Sequence, residues 1–157
     1  NQILELDIDG KIQLALVKKG VGDREMVMPA EPKEVGAEEA DTEYVTLARA
    51  AKRAAWLALR PLTGRTHQLR AHMKAIGHCI LGDPKYADQA SIELSGGLKL
   101  QLHARRLTLP HPGGGVLVIE APISAELKAS FDRFGFDWRD ADPEPFDRLG
   151  SSGSRRR

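Results

Sequence analysis

Two arginines and two histidines fall within eight residues near the middle of the chain, at Arg65, His67, Arg70 and His72. They follow the turn Thr63-Gly64 and lead into a segment whose apolar residues have helical spacing. Unpaired backbone N–H groups at a helix start, together with guanidinium donors, favour a phosphate or carboxylate ligand. This run therefore predicts an anion site. A charged helix start that only faces solvent is the alternative.

Other reactive side chains near this run have simpler explanations. His67 and His72 lie about 140° apart on a helix that turns ~100° per residue, so they do not form a two-histidine zinc face. Cys79 has no CxxC partner, which indicates a small core residue. Asp83 could act as a nucleophile, but Asp83-Pro84 is better explained as the cap and first residue of a short helix. We expect no metal site. Three further histidines are interpreted as structural: His78, His103 and His111.

The strands that must position these groups are predicted from alternating apolar residues and turn signals. The alternation from Ile3 to Ile8, followed by Asp9-Gly10, predicts a hairpin whose return strand is Ile12 to Val17. Residues 29–41 are rich in Pro, Gly and Glu and predict a surface loop. The remaining expected strands are Thr42 to Leu47, Ala54 to Leu59, Leu98 to Leu109, and Val116 to Ala121.

Two longer helices are predicted. One starts near Thr66, with Thr63 or Thr66 as N-cap, and ends at Gly77 after about three turns. The other runs from the N-cap Ser124 to Gly135. Because strands outnumber helices and are mostly joined by short turns, we expect an α+β fold with a mostly antiparallel sheet and a few packed helices. We expect one domain over residues 1–136 and a disordered tail over 137–157.

Charge is unevenly distributed along the chain. The 157 residues hold 23 Lys and Arg against 22 Asp and Glu, a formal net charge of +1. Residues 60–111 hold eight basic and three acidic residues, a balance of +5, so a polyanion should meet this segment first. The single cysteine, the absence of a leader and the absence of an apolar stretch of ~20 residues predict a soluble, cytoplasmic protein.

The sequence from Thr63 to His72, Thr-Gly-Arg-Thr-His-Gln-Leu-Arg-Ala-His, closely resembles a conserved block of RluA-type RNA pseudouridine synthases. The run from Ile76 to Tyr86, with its Gly-Asp-Pro-Lys-Tyr ending, continues that block. Leu100 to Ala104 and Leu109 to Pro112 resemble the block that follows it. The similarity extends from about residue 12 to residue 135.

This resemblance implies a cofactor-free isomerase that flips a uridine out of ribosomal or transfer RNA, breaks its glycosidic bond and rejoins the uracil through C5. Family members use an aspartate in a His-Arg-Leu-Asp block, and that block does not occur in this sequence. The resemblance implies that Arg70 pairs with that aspartate and that Leu102 lines the uracil pocket. The residues expected to shape the cleft and contact RNA are Arg65, Thr66, His67, Gln68 and His72.

We therefore expect the chain to be the C-terminal part of a catalytic domain, inactive by itself because the carboxylate is missing. A non-catalytic RNA-binding module is the alternative. It is supported by the same missing aspartate and by the basic middle segment, and a start codon near Asn1 would favour it. An anion-binding hydrolase ranks last, because no Ser/His/Asp or metal constellation is evident.

Overall fold

The computed structural model describes residues 7–150 of the chain. In chain order, the strands are β1 (Asp9–Gln13), β2 (Leu16–Lys19), β3 (Met26–Pro29), β4 (Asp41–Ala50), β5 (Ala54–Pro61), β6 (Arg106–Pro110) and β7 (Val116–Glu120). The helices are α1 (Gln68–Ala75), α2 (Gln89–Ser95), α3 (Ala125–Phe134) and α4 (Asp147–Gly150). Short 3-10 helices occupy Gly22–Arg24 and Trp138–Asp140.

All strand pairs among residues 7–150 are antiparallel. The largest sheet has the order β1-β4-β5, while β2 with β3 and β6 with β7 form two-stranded sheets. Together with the helices, this confirms the predicted α+β class. The long hairpin of β4 and β5 and the loop before β4 also agree with the sequence patterns.

Asp9-Gly10 does not form the predicted turn. Both residues lie in β1, where Asp9 pairs with Val45 and Gly10 pairs with Tyr44 of β4. A Cβ built on Gly10 would lie 2.6 Å from the Tyr44 hydroxyl oxygen, so the glycine lets the tyrosine ring cross the strand. Most of the predicted first strand, Ile3 to Ile8, lies outside the described residues.

Three other boundaries differ from the sequence prediction. Helix α1 begins at Gln68, and neither Thr63 nor Thr66 caps it, because His67 occupies the cap position in a left-handed conformation with φ 51°. Residues 84–86 form a turn rather than a helix. Residues 98–105 form a loop and not the predicted strand. In this loop, Gln101 N donates to the carbonyl oxygen of Leu81, which lies in another loop.

The core lies on two sides of α1. On one side Ala71 packs in a cluster of buried residues that also contains Leu16, Val27, Ala40 and Tyr86. On the other side Met73 packs with Ile12 and Tyr44, flanked by partly buried aliphatic residues of β5 and of the segment after the helix. Both clusters bury apolar area that stabilises the sheet against α1, which fixes where the start of this helix lies.

The prediction for α3 is confirmed. Ser124 accepts a hydrogen bond from Leu127 N, and Gly135 ends the helix with φ 74°. The ring of Phe131 lies 4.7 Å from that of Trp56 in β5, so the helix packs on the main sheet. The tail predicted over 137–157 stays a prediction; its final seven residues lie outside the described range. None of the helices between residues 7 and 150 has the length and apolarity to cross a bilayer.

Candidate active site

The turn before α1 is held by the side chain of Gln68, which is 3% exposed. Its Oε1 accepts hydrogen bonds from Arg65 N at 3.0 Å and from the Thr63 hydroxyl at 2.7 Å. Its Nε2 donates to the Asp41 carbonyl oxygen at 2.8 Å and to the Thr42 hydroxyl oxygen at 3.0 Å. One buried amide therefore connects the turn to the start of β4.

His72 continues this network into the core and has no exposed surface. Its Nε2 lies 3.0 Å from the Leu14 carbonyl oxygen, which can only accept, so Nε2 carries the proton. Its Nδ1 lies 2.9 Å from the Thr42 hydroxyl and accepts from it, while that hydroxyl accepts from Gln68. Burial lowers the pKa of His72, and the Leu14 carbonyl opposes that shift only in part. His72 is thus a neutral structural link.

Arg70 lies in the first turn of α1 and forms a two-pronged ion pair with Asp83. Its Nε donates to Oδ2 at 2.8 Å and its Nη2 donates to Oδ1 at 2.6 Å. The arginine side chain is 14% exposed and that of Asp83 is fully buried. This pairing raises the pKa of Arg70, although burial acts in the opposite direction. The guanidinium is therefore charged and fixed in orientation.

Asp83 is itself fixed by the backbone that follows it. Its Oδ1 accepts hydrogen bonds from Lys85 N at 2.8 Å and from Tyr86 N at 2.9 Å. Burial alone would raise the pKa of Asp83, but the Arg70 and backbone hydrogen bonds together lower it below its ordinary value. Asp83 thus accepts backbone hydrogen bonds as a cap would, but the residues after it form a turn and not a helix. Its lowered pKa means that the carboxylate is ionised.

Tyr86 connects this ion pair to His67. Its ring lies 4.9 Å from the Arg70 guanidinium carbon, and its hydroxyl oxygen accepts from Val27 N at 3.0 Å. The phenolic hydrogen is then free to point at His67 Nδ1, 3.1 Å away, which puts the histidine proton on Nε2. Burial, followed by the charges of Arg70 and Lys85, lowers the pKa of His67.

Leu102 lies on a segment attached to the same loop and is 37% exposed. Gln101, which precedes Leu102, donates its backbone N–H to the Leu81 carbonyl oxygen at 2.8 Å. Leu81 lies two residues before Asp83, so this hydrogen bond joins the segment of Leu102 to the loop of Asp83. Gly82 lies between Leu81 and Asp83 and approaches the backbone of residue 99 so closely that a Cβ there would be 2.0 Å from the Lys99 carbonyl oxygen. The structure thus brings the backbone of Leu102 next to the loop that holds Arg70.

Arg65 and Thr66 lie on the outer side of this arrangement. Arg65 is about a third exposed, its Nη1 contacts Glu38 at 2.8 Å, and its Nε donates to the Glu39 carbonyl oxygen. Thr66 is exposed. These two residues, with His67, are available to a ligand at the start of α1, whereas Gln68 and His72 face inward.

Sequence reasoning singled out Arg70 but missed its partner Asp83 and the roles of Thr42 and Tyr86. Only the Gly-Asp-Pro-Lys-Tyr run carries a signal for two of these residues, Asp83 and Tyr86, and its Asp83-Pro84 pair predicts a helix cap. No group of histidine, cysteine or carboxylate side chains within residues 7–150 is arranged to hold a metal ion.

Comparison with known proteins shows that part of the chain is similar to one enzyme family. The sequence profile described as RNA pseudouridylate synthase matches residues 5–75, which include the start of α1. The chain is 50% identical over 76 residues to the dual-specificity RNA pseudouridine synthase RluA of Salmonella typhi, covering 48% of this chain and 34% of the relative. It is 45% identical over 84 residues to RluA of Escherichia coli K12, covering 53% and 37%.

A third relative broadens the comparison. The tRNA pseudouridine synthase C of Haemophilus ducreyi is 39% identical over 102 residues, covering 62% of this chain and 42% of the relative. The chain therefore spans roughly a third to two fifths of the length of these three curated relatives.

Solved structures agree with the sequence comparison. The human RNA pseudouridylate synthase domain containing 1 has a TM-score of 0.63 and 26% identity, over 78% of this chain and 52% of that one. The human domain containing 4 protein has a TM-score of 0.63 over 83% of this chain and 57% of that one, and at 23% identity it supports the fold. Over residues 5–75, with the start of α1 and its arginine, the chain matches the RNA pseudouridylate synthase family profile and is similar to proteins of that family.

Proposed function

We propose that this chain forms the part of an RNA pseudouridine synthase that holds the catalytic arginine, and that the intact enzyme isomerises uridine in ribosomal or transfer RNA. The observation that carries the proposal is the fixed Arg70 guanidinium at the start of α1, inside the segment that matches the family. RluA relatives and a tRNA pseudouridine synthase among the similar proteins support the same substrate class.

Arg70 is suited to hold a second carboxylate. The Asp83 pair uses Nε and one hydrogen of Nη2, which leaves Nη1 and the other Nη2 hydrogen on the outer edge of the guanidinium. An aspartate approaching that edge would remain ionised beside the charge and be held in one orientation. Such a carboxylate can attack or stabilise the sugar while the uracil turns, and the reaction needs no cofactor.

The other predicted site residues take different roles in this proposal. The exposed Leu102 offers an apolar surface for the uracil, while Arg65, Thr66 and His67 offer donors to RNA phosphates near the helix start. Gln68 and His72 remain predicted RNA contacts, but their burial favours a structural role: they hold the turn that presents those donors.

A non-catalytic RNA-binding module remains the second candidate, since the same surface could bind RNA without an added aspartate. The two differ in what the full gene product does. We propose a cytoplasmic location for either, because ribosomal and transfer RNA would be substrates or ligands there.

The test compares the 157-residue chain with the full gene product on uridine-containing ribosomal and transfer RNA, followed by nucleoside analysis. We expect pseudouridine from the full gene product and none from the chain alone, because positioning without the carboxylate leaves the glycosidic bond intact. An inactive full gene product that still binds RNA would favour the binding module. Pseudouridine made by the chain alone would contradict the assignment of the aspartate to another segment.

A further inference from the structure

We infer that Asp83 is a positioning residue that sets the orientation of Arg70 for the reaction. This inference rests on the proposed function and deepens it. Asp83 lies 13 residues after Arg70, in a loop beyond the segment that the family profile matches. A surface arginine with an exposed acid partner samples many orientations, whereas this pair is 14% exposed on the arginine side and fully buried on the aspartate side.

The geometry gives the carboxylate a specific task. Asp83 engages the Nε side of the guanidinium with both oxygens, at 2.8 and 2.6 Å. Because a guanidinium is planar, fixing that side also fixes the direction of the outer edge, which holds Nη1 and the second hydrogen of Nη2. An arginine held by a single hydrogen bond would leave this edge free to rotate, and a lysine has no such planar edge.

Asp83 can do this because its own position is fixed by two backbone hydrogen bonds and by the close packing of the residue before it. Two backbone N–H groups, of Lys85 and Tyr86, donate to Oδ1. Gly82, immediately before it, packs so closely on the Lys99 carbonyl that the preceding backbone has little room to shift. The ring of Tyr86 lies 4.9 Å from the guanidinium carbon and limits Arg70 on a further side.

Asp83 is also poorly placed to be a nucleophile. Both of its oxygens are occupied by donors, and its side chain has no exposed surface for a sugar to approach. Breaking the pair would leave either a buried charge or a buried guanidinium without its partner, which is costly. Asp83 therefore acts through Arg70: it orients the guanidinium that the reaction needs, without contacting the reacting atoms.

The test uses the full gene product and its Asp83→Asn and Asp83→Glu variants. Single-turnover experiments with the enzyme in saturating excess over RNA give the rate constant, and circular dichroism gives the folded fraction separately. We expect Asp83→Asn to lower the rate constant by about 10- to 100-fold with RNA affinity within about threefold, because a small misorientation of a catalytic group costs rates of this order. Asp83→Glu, which keeps the charge, should recover part of the rate.

A purely structural role would instead lower the folded fraction and the midpoint of thermal unfolding, while the folded enzyme reacted at the wild-type rate constant. Glu126→Gln, which breaks the exposed pair with Lys99, is the control and should leave the rate unchanged. If Asp83→Asn does not fold, the rate constant of Asp83→Glu decides. If the full gene product is active and its folded Asp83 variants keep the wild-type rate constant, the inference about Asp83 is wrong, while the proposed function is unaffected.

A second measurement does not depend on activity. In the nitrogen-15 spectrum of the full gene product, the Arg70 Nε–H, assigned by its loss in Arg70→Lys, should exchange slowly with solvent because it is hydrogen-bonded and buried. It should lose this protection in Asp83→Asn but not in Glu126→Gln. Rapid exchange in the wild type would overturn the inference. If the wild type shows protection but makes no pseudouridine, the proposed function fails and the pair has only a structural role.

Discussion

The Thr42 hydroxyl lies 2.9 Å from Nδ1 of His72, and both side chains are fully buried. His72→Ala should therefore remove the acceptor of the Thr42 hydroxyl hydrogen and the side-chain donor to the Leu14 carbonyl, and open a cavity, lowering the free energy of unfolding by roughly 2–5 kcal/mol. Urea denaturation measures this loss. His111→Ala, in the exposed turn between β6 and β7, is the control. Similar losses in the two variants would contradict a structural role for His72.

The same residue predicts how stability depends on pH. Because burial lowers the pKa of folded His72, the unfolded chain binds more protons below the ordinary histidine pKa, about 6.5. Stability should be complete above that pH and fall as the pH drops from there through the lowered pKa. His67 and His78 shift in the same direction, so His72→Ala should reduce the slope without removing it. Denaturation curves between pH 7 and 5 test this, and an unchanged slope would count against it.

Gly82 and Gly97 form a matched pair, since both have positive φ but differ in surroundings. A Cβ on Gly97 meets nothing within 4 Å, whereas one on Gly82 would lie 2.0 Å from a carbonyl oxygen. Gly97→Ala should cost roughly 1–2 kcal/mol of stability from the left-handed conformation alone. Gly82→Ala should cost roughly 1–3 kcal/mol more, because the backbone must move. Equal losses on urea unfolding would show that the loop around Asp83 is less tightly packed than described.

Arg70 and Arg65 should differ in kind when each is replaced by lysine. In the full gene product, Arg70→Lys should abolish or nearly abolish turnover while RNA binding persists, since lysine cannot satisfy Asp83 and a second carboxylate together. Arg65→Lys should mainly raise the RNA concentration required, because Arg65 forms an exposed pair. Single-turnover rates and binding constants separate these outcomes. An Arg70→Lys enzyme with the wild-type rate would exclude Arg70 as the catalytic arginine.

Glu38 should compete with RNA for Arg65. Their exposed ion pair must open before a phosphate binds, and such pairs contribute only about 0–1 kcal/mol. Glu38→Gln should therefore tighten RNA binding by up to about fivefold, while Arg65→Glu should weaken it and flatten its salt dependence. Glu93→Gln, on the exposed face of α2, changes the charge equally without releasing an arginine and serves as the control. Equal gains in both glutamate variants would indicate a general charge effect.

Local sequence patterns determined the elements of this fold that depend on neighbouring residues. The alternation on either side of residues 50–53 predicted β4 and β5, and Ser124 and Gly135 predicted the two ends of α3. The run from Thr63 to His72 located the candidate site. Each of these signals is complete within a short stretch, because pairing across a tight turn and capping involve residues close in the chain.

Only the tertiary structure decided the partners of the charged and polar groups. The +5 balance of residues 60–111 is offset by acids from outside that segment: Arg60 pairs with Glu43, Arg65 with Glu38, and Lys99 with Glu126. Asp9-Gly10 has the composition of a turn, but pairing of β1 with β4 places it in a strand. Likewise, Asp83 looked like a cap until the loop packing brought it to Arg70. Such contacts depend on which surfaces the buried core brings together, and local periodicity carries no information about that.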